Sequence, residues 1–321
     1  MRPFYDLRGN PLTPGRCLGR GGEGAVYAVA EHPRRVAKIY ARRPLEETVH
    51  KLAAMIALGS PELRKVVAWP EGLLLESRGG PVAGFVMPRV QGHREVHCLY
   101  GPKSRKEHFP RASWAFLVRA ARNLAAAFDS VHEHGLVVGD VNPGNVVVSP
   151  KALVRLIDSD SFQVSRNGTT WPCPVGVPEF TPPELQGERF DSVVRTPEHD
   201  AFGLAVLIFH LLFMGRHPFA GRHPGSREVP IEEAIREGLF AFGWDAAARG
   251  STPPPSSLRL ADVPRDLGRL FERALEKRRR PSRPSPGEWI QALEALEDRL
   301  VVCESDENHV HAGVNGRCPW C

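Results

Sequence analysis

Two short apolar segments near the middle of the chain carry the polar residues that most constrain its fold. GLVVGDVNPGNVVV contains Asp140 and Asn145, and Asp158 follows in LIDSDSF. This pattern predicts strands over 145–148 and 153–157, with the three side chains on the flanking loops. Mg²⁺ prefers carboxylate and amide oxygens, so Asn145 and Asp158 are candidate ligands. Asp140 is left to orient or deprotonate a hydroxyl, although Asp and Asn are also common turn formers.

Glycines cluster near the N-terminus, in the motif Gly19-x-Gly21-x-x-Gly24-x-Val26. The motif leads into a predicted hairpin with strands over 25–30 and 35–40. A dinucleotide-binding fold would instead place such glycines between a strand and a helix. In a hairpin, glycines let backbone N–H groups approach phosphate oxygens. Phosphate binding and an ordinary glycine-rich turn both remain open.

Lys38 lies on the second hairpin strand, in VAKIY. A lysine beside a phosphate-binding hairpin can pair with α- and β-phosphates if a carboxylate orients it; otherwise it is a solvated charge at a strand edge. A helix is predicted over 45–58. Its Glu47 is the preferred carboxylate and Glu46 the second choice, but Glu47 can instead form an i,i+4 pair with Lys51.

The predicted elements change character along the chain. The first 90 residues are mostly strands, including a further pair in LLLES and GFVMPRV. Helices are predicted over 113–133, 200–214 and 286–300. We therefore expect an α+β fold with a small β-rich lobe over 1–90 and a larger helical lobe over 91–300.

Composition and charge exclude several classes of protein. The net charge of +5 comes from 42 basic and 37 acidic residues and is too small by itself to indicate nucleic-acid binding. The longest apolar stretch, over 202–214, is too short to span a bilayer, and no secretory signal is visible. Six cysteines in 321 residues do not indicate a disulfide scaffold. We expect a cytoplasmic protein with reduced thiols and no membrane partner.

Taken in order, these motifs resemble the signature set of eukaryotic-type, or Hanks-type, serine/threonine protein kinases. The likeness covers roughly residues 12–300. Asp140 and Asn145 match the catalytic-loop Asp and Asn, and Asp158 matches the metal-binding Asp of the D-F-G triplet. The other matches are the glycine-rich loop, the strand lysine, the helix-C glutamate, the end of the A-P-E segment, the Asp that supports the catalytic loop and the arginine that pairs with A-P-E: Gly19, Gly21, Gly24, Val26, Lys38, Glu47, Glu184, Asp200 and Arg283.

The resemblance implies a bilobal protein-kinase fold and ATP-dependent phosphoryl transfer to Ser or Thr of protein substrates in signalling. It implies that Mg²⁺ or Mn²⁺ is held by Asn145 and Asp158, that Lys38 binds the α- and β-phosphates, and that Asp140 accepts the hydroxyl proton. The adenine site it implies consists of three aliphatic side chains, a gatekeeper and two hinge residues: Val26, Ala37 and Val147, Met87, and Pro88 and Val90.

The chain departs from the family pattern at several positions. The family triplet His-Arg-Asp is Val138-Gly139-Asp140 in this chain, and the triplet D-F-G is Asp158-Ser159-Asp160. Asn142 occupies the position of the catalytic-loop lysine, and Val177 occupies that of a threonine. The missing arginine predicts activity that does not depend on phosphorylation between residues 159 and 181. A nucleotide-binding pseudokinase with weak or no turnover, acting as a scaffold, is therefore the alternative function. A small-molecule kinase is less consistent with GVPEFTPPE, which resembles a protein-substrate platform.

GDVNPGN and LIDSDSFQV resemble a bacterial branch of these kinases. Its members are often encoded with a phosphatase and a von Willebrand A-type protein, which the resemblance implies as partners. They often carry a C-terminal helix-hairpin-helix or zinc module. We expect nucleic acid as a partner only if a missing C-terminal module binds it.

The tail over 301–321 predicts a zinc-knuckle-like structural Zn²⁺ site. Its pattern is Cys303-x5-His309-x-His311-x6-Cys318-x2-Cys321, and the final C-x2-C has metal-knuckle spacing. We expect the three cysteines and His309 as ligands, with His311 the alternative to His309. The other interpretation is a tail with free thiols. Because the chain ends on a proposed ligand, we expect that it is truncated after Cys321.

Overall fold

The structure is a computed structural model with an α+β fold, and it describes residues 2–225, 228–276 and 282–321. The N-terminal part forms a seven-stranded sheet whose neighbouring strands are all antiparallel. Its strands are β1 (Phe4–Tyr5), β2 (Pro11–Leu12), β3 (Pro14–Arg20), β4 (Gly24–Val29), β5 (Arg35–Tyr40), β6 (Gly72–Leu75) and β7 (Val82–Pro88). The spatial order β2-β1-β6-β7-β5-β4-β3 places β5 inside the sheet, so Lys38 is held on both sides by neighbouring strands.

Helices build most of the remaining chain, around a core formed largely by two long helices. The helices are α1 (Glu46–Leu58), α2 (Pro61–Val66), α3 (His97–Tyr100), α4 (Pro102–His108), α5 (Trp114–Glu133), α6 (Pro197–Leu212), α7 (Ile231–Glu237), α8 (Arg265–Leu275) and α9 (Pro286–Glu297). Helix α6 is buried along nearly its whole length and packs against α5 and α8. None of the described helices is long and apolar enough to cross a membrane.

Short strands carry the loops between the helices. A three-stranded sheet and two hairpins contain β8 (Arg94–Glu95), β9 (Val146–Val148), β10 (Val154–Leu156), β11 (Val164–Arg166), β12 (Thr169–Trp171), β13 (Val301–Val302) and β14 (Val310–His311). The β9–β10 pair confirms the two central strands expected from the sequence, and it places the catalytic-loop motif before β9 and Asp158 after β10.

Most sequence-predicted elements are present with slightly different bounds. Helix α6 begins at Pro197 rather than residue 200, because Thr196 and His199 form a capping box and proline suits the first helical position. Strand β3 was not predicted, since this edge strand is almost entirely exposed and lacks apolar alternation. Helix α8 was also missed, although Leu267, Phe271 and Ala274 recur at helical spacing and are buried.

A buried histidine makes the stability of this fold depend on pH. His210 on α6 stacks on Tyr100 with ring centroids 4.8 Å apart. Burial, with the nearby His217, lowers the pKa of His210 to about 3. In the unfolded chain the imidazole binds a proton near pH 6.5, so acid favours the unfolded state before folded His210 can be protonated. We expect the free energy of unfolding to fall by about 2 kcal/mol from this group between pH 7 and pH 5.

Urea unfolding at both pH values tests this expectation. His210→Phe retains a ring for stacking and is expected to lose the His210 share of the pH-dependent difference, while buried His217, whose pKa burial lowers to about 4, keeps its own share. His50→Gln, at an exposed position on α1, is the matched control and is expected to behave as wild type. An unchanged pH dependence in His210→Phe would contradict the assignment.

Candidate active site

Lys38 lies at the centre of a compact set of acidic groups. Its Nζ is 2.7 Å from Asp158 Oδ1 and 2.7 and 2.8 Å from the two carboxylate oxygens of Asp160. Tyr40 donates its hydroxyl to Asp160 at 2.9 Å. Burial by itself lowers the pKa of Lys38, but the charges of Asp160 and Asp158 outweigh it and hold that pKa above its ordinary value. Lys38 is therefore a cation whose charge is matched by carboxylates.

The prediction that Lys38 pairs with Glu47 is wrong, because the described structure pairs Lys38 with Asp158 and Asp160 instead. Glu47 is exposed in the first turn of α1, where it borders a cavity of about 860 Å³ that Asp160 also lines. One turn later α1 presents Lys51, a buried cation, to the same cavity. The sequence favoured Glu47 because the family pattern places a carboxylate on this helix, whereas Asp160 supplies it here.

The catalytic-loop motif forms a tight polar turn before β9. Asn145 Nδ2 donates to the Asp140 carboxylate at 2.9 Å and to its backbone carbonyl at 3.1 Å. Asn142 caps the short 3₁₀ turn by accepting from Gly144 N at 2.9 Å. The buried Oδ1 of Asp140 has no hydrogen-bond partner among the described residues. Burial raises the pKa of Asp140, which strengthens the carboxylate as a proton acceptor.

Asp200, at the start of α6, supports the catalytic loop through hydrogen bonds to its backbone. Its side chain is 1% exposed and accepts hydrogen bonds from Val138 N at 2.7 Å and Gly139 N at 2.8 Å. His132 Nε2 lies 2.9 Å from the same carboxylate. The supporting contacts implied by the resemblance are therefore present.

Gly139 stands where the family has the arginine of His-Arg-Asp, and its surroundings leave no space for a side chain. Its φ is +73°, and a Cβ would lie 2.5 Å from Cys173 Cβ and 3.1 Å from Arg195 Nη1. Arg195 donates to the Val175 carbonyl at 2.7 Å and lies 4.2 Å from the Phe190 ring. A buried guanidinium from elsewhere in the chain thus contacts the segment that follows the central strands, a role that sequence reasoning missed.

The glycine-rich motif forms the turn and flanking strands of the β3–β4 hairpin. Gly21 N donates to Gly24 O at 2.9 Å across the turn. A side chain at Gly24 would overlap the carbonyl of Ile39 on β5, whereas Gly19 and Gly21 have open space around them. The motif therefore combines one glycine required by packing with an open edge that a phosphate can approach.

Ala37 is on the wrong face of the sheet for the predicted adenine contact. Side chains alternate along β5, so Val36 and Lys38 share one face and Ala37 lies on the other. Ala37 packs in the smaller apolar cluster on that second face, whereas Val36 belongs to the main core cluster together with Met87. Counting in twos from Lys38 would have identified Val36.

The other predicted adenine residues lie on β4, on β7 and just after it, and on β9. Val26 pairs across the sheet with Lys38, and Met87 pairs with Val36. The remaining three are placed at the end of β7, two residues beyond it, and in the middle of β9: Pro88, Val90 and Val147.

The oxygen donors of the catalytic loop and the Asp158 loop fit a divalent cation. The side-chain nitrogen of Asn145 donates to Asp140, which leaves the side-chain oxygen Oδ1 of Asn145 as an available ligand. Asp158 uses one carboxylate oxygen toward Lys38 and its side chain is 43% exposed. Hard cations such as Mg²⁺ bind this type of oxygen donor, so the residues present are compatible with the metal that the resemblance implies.

The predicted ion pair between Arg283 and Glu184 is formed. The guanidinium contacts the two carboxylate oxygens at 2.6 and 2.8 Å. Although burial raises the pKa of Glu184, the hydrogen bonds and charge of Arg283 outweigh it and hold that pKa below its ordinary value. The pair joins the end of the A-P-E-like segment to the residues just before α9.

The four residues proposed as zinc ligands come together in the tail. One potential ligand atom from each of Cys303, His309, Cys318 and Cys321 lies within 4.8 Å of the other three. His311, the alternative ligand, is buried on β14 and its Nδ1 accepts from Gly313 N at 3.1 Å. Of the two histidines, His309 is therefore the one that clusters with the three cysteines.

Comparisons with known proteins identify several protein kinases, although no family model matches the chain. It is 44% identical to proteins named protein kinase YegI from two Escherichia coli strains, O157:H7 and K12, over 332 and 327 residues. These alignments cover 100% and 99% of this chain but 50% and 49% of the relatives, so the chain spans about half their length. Serine/threonine-protein kinase PknB of Mycolicibacterium smegmatis is 26% identical over 61% of this chain and 32% of its own length.

Among solved structures, the fold is similar to one described as the ROP18 kinase domain in complex with AMP-PNP and sucrose. The TM-score is 0.59 with 17% sequence identity, covering 92% of this chain and 82% of that one. At this identity the likeness bears on the fold alone. The similarity in sequence to bacterial protein kinases shows that the chain belongs to the Hanks-type serine/threonine protein kinase family.

Proposed function

We propose that this chain transfers the γ-phosphoryl group of ATP to Ser or Thr hydroxyls of protein substrates in bacterial signalling. The observation that carries the proposal is the free Oδ1 of Asp140, a buried acceptor beside Asn145. This oxygen has unused acceptor capacity but no exposed surface in the described structure, so a substrate hydroxyl would bond to it only after the loop opens to admit the substrate. Lys38 and Asp158, which the resemblance assigns to nucleotide and metal binding, are in direct contact with each other.

The proposed reaction divides its tasks among these side chains. Asp140 accepts the proton as the hydroxyl oxygen bonds to the γ-phosphorus and the bond to the β–γ bridging oxygen breaks, which releases ADP. Lys38 binds α- and β-phosphate oxygens. Mg²⁺ or Mn²⁺, held by Asn145 and Asp158, would offset the charge that develops on the phosphates.

ATP is proposed to bind between the segments 1–90 and 91–300. The adenine ring would lie among aliphatic side chains from both segments, with the hinge backbone supplying the adenine hydrogen bonds. The proposed residues are Val26, Val36 and Val147, Met87, and Pro88 and Val90.

Incubation with γ-³²P-ATP and a Ser/Thr-rich acceptor such as myelin basic protein tests the proposed function. We expect label on Ser or Thr when Mg²⁺ is present and none when EDTA replaces it. The pseudokinase alternative rests on Asn142 and Ser159, which replace residues of the family pattern. ATP binding without transfer would favour that scaffold function and overturn the proposed turnover.

We further propose that activity does not require phosphorylation of the segment 159–181. Arg195 already supplies a buried cation beside the catalytic loop, 4% exposed. Gln163 fixes its backbone through two 2.7 Å hydrogen bonds, donating to Arg195 O and accepting from Arg195 N. Because the segment is anchored by a permanent charge, a phosphate is not needed to hold it.

Alanine at Ser165, Thr169 and Thr170 together is expected to change kcat/KM by less than about twofold. All three lie on the exposed β11–β12 hairpin. Ser161 and Thr181 are left intact because their hydroxyls donate to backbone carbonyls at 2.8 Å. Kinetics of the triple variant, beside phosphatase-treated wild type, provide the measurement. A loss greater than tenfold in either would contradict the prediction.

We also propose that the tail binds a structural Zn²⁺. Cys303 and Cys321 sulfurs are 3.6 Å apart, and His309 Nδ1 lies 3.5 and 3.8 Å from Cys321 and Cys318. A tetrahedral site with Zn–S bonds of about 2.3 Å needs ligand separations of roughly 3.8 Å. Asp306 Oδ2, 3.6 Å from His309 Nε2, is placed to orient the imidazole.

Zinc analysis of purified protein is expected to give about one ion per chain. Cys318→Ser should lose most of the metal, since three ligands hold zinc much more weakly than four. Cys17→Ser is the matched control, because this exposed thiol lies outside the cluster. The ring centroids of Trp320 and Trp114 are 6.2 Å apart. Removal of the ion is expected to break this ring contact and so to change tryptophan fluorescence. A wild-type protein without zinc would contradict the proposal.

The cellular setting is proposed from the family and the substrate. The resemblance favours a cognate phosphatase and a von Willebrand A-type protein as partners, beside protein substrates. A cytoplasmic location suits ATP as substrate and six free cysteines. Co-purification of either proposed partner from the native cell would support the first assignment.

A further inference from the structure

The carboxylate that contacts Lys38 most extensively is Asp160, which stands at the glycine position of the D-F-G pattern. Both of its oxygens contact Lys38 Nζ, one also accepts from Tyr40, and the side chain is 5% exposed. Asp158 offers one oxygen and is 43% exposed. A buried carboxylate with two donors from the same strand is much harder to displace than a half-exposed one with a single contact.

Asp160 is held in place by its own turn. Ser159 Oγ donates to the Ala68 carbonyl at 2.7 Å in a buried contact, and Ser161 Oγ donates to the Asp158 carbonyl at 2.8 Å. These bonds fix the 3₁₀ turn Ser159–Ser161 from both ends. The position of the carboxylate therefore does not depend on a movement of helix α1.

Helix α1 presents a charge of the opposite sign from the one the family pattern requires. Lys51 is buried on this helix, and burial holds its pKa below the ordinary value although interactions with Cys173 and Asp160 oppose that shift. Lys51 lines the cavity together with Asp160, which in turn contacts Lys38. Among the acidic residues that line this cavity, Asp160 has a buried side chain, whereas Glu23, Glu47 and Asp191 are exposed. Glu23 also lies 3.7 Å from Lys38 Nζ, but its side chain is 63% exposed. The charge of Asp160 therefore acts on both lysines from a buried position.

We propose that Asp160, rather than a glutamate of α1, is the residue that positions Lys38 toward the phosphates of ATP. The proposal rests on the proposed function. It separates two tasks: Asp160 stays with Lys38, and Asp158, with its single contact and greater exposure, is free to turn to the metal. Asp160 is a positioning residue because it acts through the lysine and does not touch the reacting atoms.

A double-mutant cycle on the full chain tests this role. Asp160→Asn is expected to lower kcat/KM for ATP about 100-fold and to raise the dissociation constant of Mg-ATP at least tenfold. Lys38→Met should cost more, and the double variant should fall no further than Lys38→Met within about twofold, since Asp160 acts through Lys38. Glu47→Gln is expected to cost less than threefold. If Asp160 had only a general structural role, the losses caused by Asp160→Asn and by Lys38→Met would multiply in the double variant.

Two outcomes overturn the proposal: a Glu47→Gln loss as large as that of Asp160→Asn, or multiplicative losses in the double variant. If Asp160→Asn does not fold, Tyr40→Phe replaces it, because this change removes a hydrogen bond to Asp160 without touching Lys38. A larger loss for Tyr40→Phe than for Glu47→Gln supports the proposal, and the reverse overturns it.

Binding separates this proposal from the proposed function. If wild type binds Mg-ATP but phosphorylates no acceptor, the proposed function fails. The dissociation constants of Asp160→Asn and Glu47→Gln, measured by calorimetry, still decide the role of Asp160. If wild type binds no nucleotide, both are overturned.

Discussion

Asp140→Asn is expected to lower kcat for phosphoryl transfer about a thousandfold, within the range that general-base groups contribute. The amide cannot accept the hydroxyl proton, whereas its size and the contacts with Asn145 are nearly conserved. The dissociation constant of ATP is expected to change by less than threefold, because the acidic partners of Lys38 in the described structure are Asp158, Asp160 and Glu23 and do not include Asp140. Steady-state kinetics with labelled ATP and calorimetric ATP titration provide the two numbers.

The outcome also distinguishes an active kinase from a contaminant or a scaffold. Residual activity above a tenth of wild type would contradict the assignment of Asp140 as base. Equal activity in both proteins would point to a contaminating kinase. The sequence departures at Asn142 and Ser159 do not affect this reasoning, since neither residue is the proton acceptor.

Asp200→Asn is expected to lower the free energy of unfolding by roughly 3 kcal/mol, as when one partner of a buried charge network is removed. The carboxylate accepts from two backbone N–H groups, of Val138 and Gly139, and contacts His132. An amide turns an NH₂ group toward at least one of these donors, which leaves buried groups unsatisfied. Urea unfolding followed by circular dichroism measures the change.

Asp245→Asn is the matched control for this substitution, since Asp245 is exposed, and we expect less than about 0.5 kcal/mol there. We also expect the Asp200 variant to lose activity out of proportion to its folded fraction, because the loop that carries Asp140 loses its support. A variant as stable as wild type would show that the network contributes little to the fold.

Local patterns in the sequence were sufficient for much of the site. The β9 and β10 strands, the turn with Asn145, and the helices α5 and α9 follow from apolar spacing and turn residues within short windows. The face of β5 was also accessible, because alternation from Lys38 identifies Val36 instead of Ala37. The tail cluster followed from cysteine and histidine spacing, although the fold was needed to place His309 rather than His311 in it.

Contacts between distant segments could not be predicted in this way. The Arg195 guanidinium lies beside Gly139 because the chain after the β11–β12 hairpin folds back over the catalytic loop. No local pattern marks an arginine for that position. The prediction that activity is independent of phosphorylation came from the arginine that is missing at position 139. Its proposed physical basis is Arg195, which lies elsewhere in the chain.

What the sequence alone determined about this protein is therefore the order and spacing of its motifs: the glycine hairpin, Lys38, Asp140 with Asn145, Asp158 and the Cys/His pattern of the tail. Short-range spacing specifies such features because neighbouring residues cannot move far apart. Only the tertiary structure decided which carboxylate meets Lys38. Asp160 is 122 residues away in the chain, and the choice between it and Glu47 depends on which side chain is buried when the sheet, helix α1 and the Asp158 loop pack together.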